Sequence, residues 1–165
     1  MGTMSTFVGG PIGFLSKALL ALDLILWLLC LPIMLRLQAI PTLLERLTGS
    51  EKQKKKASME VKEAVRVVTR VSNLRPFRSR FFPKRCLRQS LALYRTLCRM
   101  GYPVEIHFGA FKEGEDLCGH SWVTTHGDLV ADTARNEIFK VVYSYSYNMV
   151  SSSVIEIGRS TQANL

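Results

Sequence analysis

A cysteine, a histidine and an aspartate occur in an order that suits nucleophilic chemistry. Cys86 is the second residue of the segment RCLRQSLALYRTLCRMG. His120 is the first residue of HSWVTT, and Asp132 is the last residue of LVAD. A cysteine peptidase needs a thiolate, an imidazole that shares its proton, and a third polar group that holds the imidazole in the useful tautomer. The three residues therefore predict a Cys–His–Asp catalytic site.

The segment that carries Cys86 has the pattern of an amphipathic helix. Apolar residues recur at three- and four-residue intervals, namely Leu87, Leu91, Tyr94 and Cys98. Gly101 suits the position after the last helical turn. Cys86 would then lie at the helix N-terminus, where the aligned peptide dipoles favour a thiolate over a thiol.

The segments after this helix alternate between apolar and polar residues, which is typical of strands. PVEIHFGAF predicts a strand over residues 103–111, KEGEDLCG a loop, and IFKVVYSYSY a later strand over 138–147. HSWVTTHGDLVAD, residues 120–132, predicts a hairpin that would place His120 and Asp132 on one face. Helices followed by an antiparallel sheet predict an α+β fold.

The remaining cysteines have competing interpretations. Cys30 and Cys98 lie in apolar patterns and are predicted core residues. Cys118, two residues before His120 in the predicted loop, is the rival nucleophile. The four cysteines lack the spacing of a zinc site or a disulfide framework, so we expect a reducing, intracellular setting.

Other histidines and aspartates compete with the predicted site as well. His107 and His126 are alternatives to His120, and we expect both at the surface. Asp128 competes with Asp132, although HGD is typical of a turn. Trp122 would share a strand face with His120, either shielding the site from water or serving only in packing.

The net charge of +9 favours an acidic partner, which could be a nucleic acid, a membrane surface or a peptide. Six cations lie around Cys86, namely Arg75, Arg78, Arg80, Lys84, Arg85 and Arg88. They could favour the thiolate and bind carboxylates of a peptide. The candidate substrate-binding residues are Arg85, Arg88 and Trp122. Ordinary solvation of each cation is the alternative interpretation.

The first 48 residues are the most apolar part of the chain. The run from Ala18 to Leu37 is about 20 residues long, which is the length that a helix needs to cross a bilayer. Two features instead favour a buried hairpin or a partner-docking helix. A carboxylate such as Asp23 is costly inside a membrane span, and Pro32 and Pro41 would break or kink one long helix. We predict a hydrophobic helical region over residues 1–48, a basic linker over 49–58, and a catalytic domain over 59–165 that begins with a helix ending near residue 72.

Residues 76–132 resemble a known family. RCLRQSLALYRTLCRMGYPVEIHFGAF followed by GHSWVTTHGDLVAD is similar to the transglutaminase-like cysteine protease of lasso-peptide biosynthesis, the B-type leader peptidase, in its stand-alone form. The resemblance implies a transglutaminase/papain-like core, in which a helix bearing Cys86 packs on an antiparallel sheet bearing His120 and Asp132. Ser121 replaces the alanine usual after the histidine, and we expect this change to matter little.

The resemblance also implies partners. It implies a cytoplasmic bacterial enzyme that cuts the leader from a precursor peptide, beside a separate PqqD-like leader-recognition protein and an asparagine-synthetase-like cyclase. The apolar N-terminal helices would form part of the docking surface for the recognition protein. No cofactor is expected, and an ATP requirement stays open. Peripheral membrane contact through residues 14–47 also stays open.

Three other functions compete with peptide hydrolysis. The same triad could perform transglutaminase-like amide transfer. A noncatalytic membrane-associated adaptor would account for the N-terminal run. A nucleic-acid-binding adaptor would account for the charge, but we expect no nucleic-acid partner, because the cations are dispersed and no zinc-finger, RRM or KH signature occurs.

Overall fold

The computed structural model describes residues 11–48, 59–131 and 138–147. The helices are α1 (Pro11–Leu37), α2 (Ile40–Thr48), α3 (Val61–Ser72), a short 3₁₀ helix (Arg75–Arg78) and α4 (Arg85–Met100). The strands are β1 (Val104–Glu113), β2 (Asp116–Thr125), β3 (Asp128–Leu129) and β4 (Lys140–Tyr147). The predicted linker over 49–58 and the predicted catalytic Asp132 lie outside the described residues.

The strands form one antiparallel sheet in the order β3-β2-β1-β4, which confirms the α+β prediction. β1 and β2 are longer than predicted, since pairing continues to Glu113 opposite Asp116. The predicted loop over residues 112–119 is therefore wrong. A tight turn replaces it, in which Gly114 adopts a φ of 63° that a side chain would disfavour.

α4 lies between the sheet and the other helices. Its apolar side, including Leu91, Tyr94 and Leu97, is fully buried. The Tyr94 ring meets Tyr145 of β4 edge to face, with centroids 6.3 Å apart. The helix ends at Gly101 in a left-handed conformation, as the sequence predicts. α3 also packs on α4 and ends at Ser72, close to its predicted end.

α1 runs unbroken through Pro32, so the prediction that this proline divides the helix is wrong. The chain instead turns after Leu37 and re-enters a helix at Ile40. Pro41 lies in the first turn of α2, where a missing N–H disrupts no helical hydrogen bond. α1 and α2 are thus two separate helices, and the break between them lies after Leu37, between Pro32 and Pro41 in the sequence.

The helical pair shares one hydrophobic core with the rest of the protein. Leu24, Leu28 and Leu31 of α1 are fully buried, as are Leu43 and Leu44 of α2. Residues of the predicted N-terminal region and of the predicted catalytic domain therefore belong to one cluster.

The opposite side of α1 is apolar and exposed, so only one side of the predicted buried helix is covered. We call this surface the α1 outer face; its large side chains are Leu15, Leu19, Leu22, Leu26, Leu29 and Ile33. Cys30 is exposed there too, which makes its assignment to the core wrong. Leu15–Leu37 is long and apolar enough to cross a membrane, but the same is true of core helices and signal sequences.

An ion pair joins α1 to α4. The Asp23 carboxylate accepts two hydrogen bonds from Arg95, at 2.6 and 3.1 Å, and one from Arg99 at 2.9 Å. The guanidinium of Arg95 also lies 5.3 Å from the centre of the Trp27 ring. Burial by itself raises the pKa of Asp23, but the two arginines more than offset that effect and the pKa lies below its ordinary value.

We expect Asp23→Asn to lower the free energy of unfolding by about 1 kcal/mol at neutral pH, because the pair is bidentate but partly exposed. A carboxyl whose pKa is lowered by folding stabilises the protein above its unfolded pKa and loses that contribution on acidification. The difference between wild type and variant, measured by urea unfolding, should therefore shrink as the pH falls below about 4. A difference that is constant down to pH 2 would contradict this assignment.

Candidate active site

Cys86 is the second residue of α4 and is half-buried. Pro83 and Lys84 precede the helix, and the Lys84 carbonyl accepts the first helical bond from the Arg88 N–H at 3.0 Å. The amide groups of the first turn therefore surround the Cys86 position with unpaired donors, as at any helix N-terminus. The local structure agrees with the predicted placement of the thiol.

His120 lies in β2 and contacts two aromatic rings. Its ring stacks on Trp122 at 5.9 Å between centroids and 20° between planes. The centroid of the Phe139 ring lies 5.0 Å from that of His120, with the planes tilted by 33°. Side chains alternate along a strand, so His120 and Trp122 share one face, whereas Ser121 and Val123 face the helical core. Ring packing thus limits the orientations open to the His120 imidazole.

Cys86 and His120 line the same small cavity, with a volume of about 40 Å³. The other residues that line it are Gln89, Ser90, Leu93, Ser121, Trp122, Val123 and Ala131. Residues from both faces of β2 take part, so the cavity lies along the edge of that strand, beside the first turns of α4. Asp132 lies outside the described residues, but Ala131, which precedes it, belongs to this lining.

A hydrogen bond between two buried serines joins the helix of Cys86 to the strand of His120. The Ser90 hydroxyl donates to the Leu87 carbonyl at 3.1 Å, and its oxygen is hydrogen-bonded to the Ser121 hydroxyl at 2.9 Å. Both side chains are almost completely buried. Ser121 therefore has a buried hydrogen-bond partner in α4 that an alanine could not have. A signal was available in the sequence, since Ser90 is a polar residue one turn after Cys86 on an otherwise apolar helix side.

Gly109 is a second residue that sequence reasoning missed. It pairs with His120 in the β1–β2 register, at an irregularity in the β1–β4 pairing. A Cβ atom at this position would lie 2.9 Å from both the Trp122 ring and Phe139 Cβ. The same two residues contact the His120 ring. Only glycine therefore leaves room for the aromatic side chains that hold His120.

The alternative histidines have other environments. His107 is mostly buried, stacks on Trp122 at 5.4 Å and lies 3.0 Å from Thr124 Oγ1, so its predicted surface position is wrong. Burial lowers the pKa of His107, and the nearby Glu105 carboxylate opposes that effect. His126 is exposed in the β2–β3 turn, as predicted. Neither histidine belongs to the cavity lining.

The alternative cysteines differ in accessibility. Cys98 is buried, as predicted, and burial raises its pKa to about 12, which keeps it a neutral thiol. Cys118 lies in β2 opposite Phe111 and not in a loop, so its predicted environment is wrong. It is half-buried and shares a strand face with His120, but it does not line the cavity. Asp128 pairs with Thr125 beside the turn, in keeping with its predicted turn role.

Arg88 anchors the segment before Cys86. Its buried guanidinium donates two hydrogen bonds to the Ser72 carbonyl, one to that of Phe77 and one to that of Pro83. Burial lowers the pKa of Arg88, the Arg85 cation lowers it further, and a Cys86 thiolate would raise it, although an arginine stays charged throughout. These contacts give Arg88 a structural role that needs no substrate, whereas Arg85 is exposed.

We expect Arg88→Gln to lower the free energy of unfolding by roughly 2–4 kcal/mol, because buried carbonyls lose a charged donor. Arg85→Gln is the matched control, since Arg85 is exposed, and it should change stability by less than about 0.5 kcal/mol. Urea unfolding of both variants measures the difference. Equal stabilities would refute the anchoring role.

We expect Gly109→Ala to lower the free energy of unfolding by about 1–3 kcal/mol, because Trp122 or Phe139 must move. The imidazole signals of His120 in two-dimensional NMR spectra should shift as well. Gly119→Ala is the control, because its Cβ would meet nothing closer than the Gly109 carbonyl at 4.0 Å. Unchanged His120 signals in Gly109→Ala would contradict the proposed crowding.

Comparison with family models gives a match over residues 27–144, to the model described as the transglutaminase-like superfamily. The matched segment begins inside α1 and includes Cys86, His120 and the whole of the basic connector between α3 and α4. Searches of curated proteins and of solved structures gave no match. The helix bearing Cys86, packed on an antiparallel sheet bearing His120, is the core that this match describes, and the chain belongs to the transglutaminase-like superfamily.

Proposed function

We propose that this protein is a cysteine peptidase that removes the leader from a ribosomally made lasso-peptide precursor. The observation that carries the proposal is that Cys86, at a helix N-terminus, and His120, on the adjacent strand, line one cavity. The superfamily suggests cysteine protease or amide transfer activity. The resemblance of residues 76–132 to the B-type leader peptidase supports the finer assignment.

In the proposed reaction, Cys86 is the nucleophile and His120 the general base and acid. The thiolate attacks a backbone carbonyl of the precursor, a carbon–sulfur bond forms, and the peptide C–N bond breaks as His120 gives a proton to the departing amine. Water, deprotonated by His120, then hydrolyses the thioester and releases the leader with a free carboxyl group. In this proposal Asp132 holds the imidazole in the reactive tautomer.

Two features of α4 would stabilise the charges that this reaction develops. The N-terminus of α4 carries the partial positive charge of its aligned peptide dipoles, and the Arg88 guanidinium is anchored one turn into the same helix. We assign the Cys86 backbone N–H as one donor to the oxyanion, because the amides of a first helical turn are not used within the helix. These groups are already in place before substrate binds, which is what electrostatic stabilisation requires.

The size of the cavity is consistent with a peptide that reacts at the surface. About 40 Å³ has room for only a few water-sized groups. In this proposal the scissile carbonyl or the hydrolytic water would occupy the cavity that Cys86 and His120 line, whereas the flanking residues of a peptide would lie outside. Such a shallow site makes few contacts of its own with a long leader, which is consistent with a separate recognition protein.

We further propose that the α1 outer face forms part of the surface on which a PqqD-like recognition protein docks. Its large exposed side chains are uncharged. Of the charged residues of α1, Lys17 pairs with Glu63, Asp23 pairs with α4, and Arg36 lies over the Phe81 ring. An apolar face of this size is typical of an interaction site. Peripheral membrane contact through residues 14–47 is the competing use of the same face. A cytoplasmic location and a cyclase that closes the ring on the released core complete the proposal.

Amide transfer is the second candidate, and membership of the transglutaminase-like superfamily favours it. The acyl-enzyme on Cys86 would be the same, but an amine would replace water in the second step. The donor would then be a side-chain amide and the product of the first step would be ammonia. Product masses distinguish the two reactions, because hydrolysis of the backbone yields two fragments.

We expect the wild-type chain, incubated with precursor and recognition protein, to yield separate leader and core peptides in mass spectra. Cys86→Ala and His120→Ala should each lower the cleavage rate by at least about a thousandfold, because members of a catalytic triad act as a unit. Cys118→Ala is the matched control and should retain the wild-type rate.

Equal cleavage by wild type and Cys86→Ala would reject the mechanism. Loss of cleavage in Cys118→Ala, with Cys86→Ala active, would transfer the nucleophile to Cys118. Ammonia release with incorporation of an added amine, and no cleavage, would favour amide transfer.

A further inference from the structure

A second and much larger cavity lies beside the first turn of α4, on the side of the connector between α3 and α4. Its volume is about 590 Å³, and we call it the connector cavity. The residues that line it are Asn73, Phe77, Arg78, Ser79, Arg80, Phe82, Pro83, Lys84, Arg85 and Arg88. Five of these side chains are cationic and none is acidic. The connector cavity is therefore a preformed basic recess.

Four of the cations are available to a ligand. Arg78, Arg80, Lys84 and Arg85 are exposed, and among the described residues the salt bridges of the protein involve other cations. Arg88 differs, because main-chain carbonyls occupy its donors. Cations held close together without acidic neighbours repel one another, and a bound anion relieves that repulsion. Carboxylates suit arginine in particular, because its donors form two parallel hydrogen bonds.

The walls of the connector cavity are held in shape. Arg88 fixes the carbonyls of Ser72, Phe77 and Pro83 around one guanidinium. Phe77 is almost fully buried and meets the Phe82 ring edge to face at 5.2 Å. A recess that is already formed costs little conformational entropy on binding.

The connector cavity adjoins the proposed nucleophile. Arg85 and Arg88 line it, whereas Cys86 and Gln89 line the small cavity with His120. Successive helical residues point about 100° apart, so the first turn of α4 separates the two cavities. The helix is about 10 Å across with its side chains, a distance that an extended peptide covers in about three residues.

We propose that the connector cavity binds acidic side chains of the peptide substrate, within about three residues of the carbonyl that Cys86 attacks. This inference rests on the proposed peptidase function and names a class of substrate for it. Arg78, Arg80, Lys84 and Arg85 bind the carboxylates, and Arg88 positions the walls. A neutral peptide of equal length binds more weakly because it leaves the four cations unpaired.

Binding is tested on the full-length chain with Cys86→Ala, so that the result does not depend on cleavage. The probes are two fluorescent peptides of equal length, one with two aspartates and one with asparagines in their place. We expect the aspartate peptide to bind about tenfold more tightly at low salt, with the advantage falling as salt rises. Arg78→Gln/Arg80→Gln, added to Cys86→Ala, should abolish this advantage.

The matched control is Arg66→Gln/Arg70→Gln, which removes the same charge from exposed positions of α3 outside the cavity lining. The control should retain the preference for aspartate. Equal binding of the two peptides, or an equal loss in the control, would overturn the proposal. So would tighter binding of a single-stranded oligonucleotide with the same dependence on Arg78 and Arg80, since the recess would then belong to a nucleic acid.

The cleavage assay separates the two proposals. If both hold, Arg78→Gln/Arg80→Gln raises KM for an acidic substrate and leaves kcat nearly unchanged, because binding outside the reacting centre is lost. If the aspartate peptide binds selectively but no peptide is ever cleaved, the peptidase function fails while the acid-binding recess stands. Cleavage with no preference for acidic residues would refute the recess alone.

Discussion

The buried guanidinium of Arg88 is the interaction on which the geometry of the site depends. Taking a cation out of water is costly, and here four hydrogen bonds to main-chain carbonyls offset the cost. Those carbonyls belong to the end of α3, to the 3₁₀ helix and to Pro83, two residues before α4 begins. One side chain thereby fixes the path of the connector and the direction in which α4 begins. The position of Cys86, two residues before Arg88, follows from that constraint.

The other half of the site depends on contacts between α4 and the sheet and on packing within the sheet. Ser90 binds Ser121, which places the strand of His120 against the helix of Cys86. The aromatic rings of Trp122 and Phe139 hold His120 only because Gly109 carries no side chain. α1 and α2 cover the helical side of this unit and complete its core. The helical region is thus part of the support of the site, and its exposed leucines are a separate property of the opposite face.

Much of this arrangement could be predicted from local sequence patterns. Helical spacing predicted α4, and strand alternation predicted β1 and the β2–β3 hairpin, because each pattern reports which side of an element is buried. The patterns failed where distant contacts decide. Pro32 lies inside a continuous helix, His107 is mostly buried and Cys30 is exposed. Each of these outcomes depends on which side of a helix or strand packs against another element. Gly109 and Ser121 matter through cross-strand and helix–strand neighbours, which a single sequence does not specify.

The first turn of α4 divides the site into two parts of different size. The cavity beside Cys86 and His120 has room for only a few small groups, so it offers little surface by which one peptide could be distinguished from another. The connector cavity is large and basic, and neither Cys86 nor His120 belongs to its lining. In the proposed enzyme, selectivity would therefore come from outside the reacting centre, through the charge of the connector cavity and through the recognition protein. Because Arg88 fixes the carbonyls that shape the connector and lies two residues after Cys86 in α4, the same side chain joins the basic recess to the helix turn that carries the proposed nucleophile.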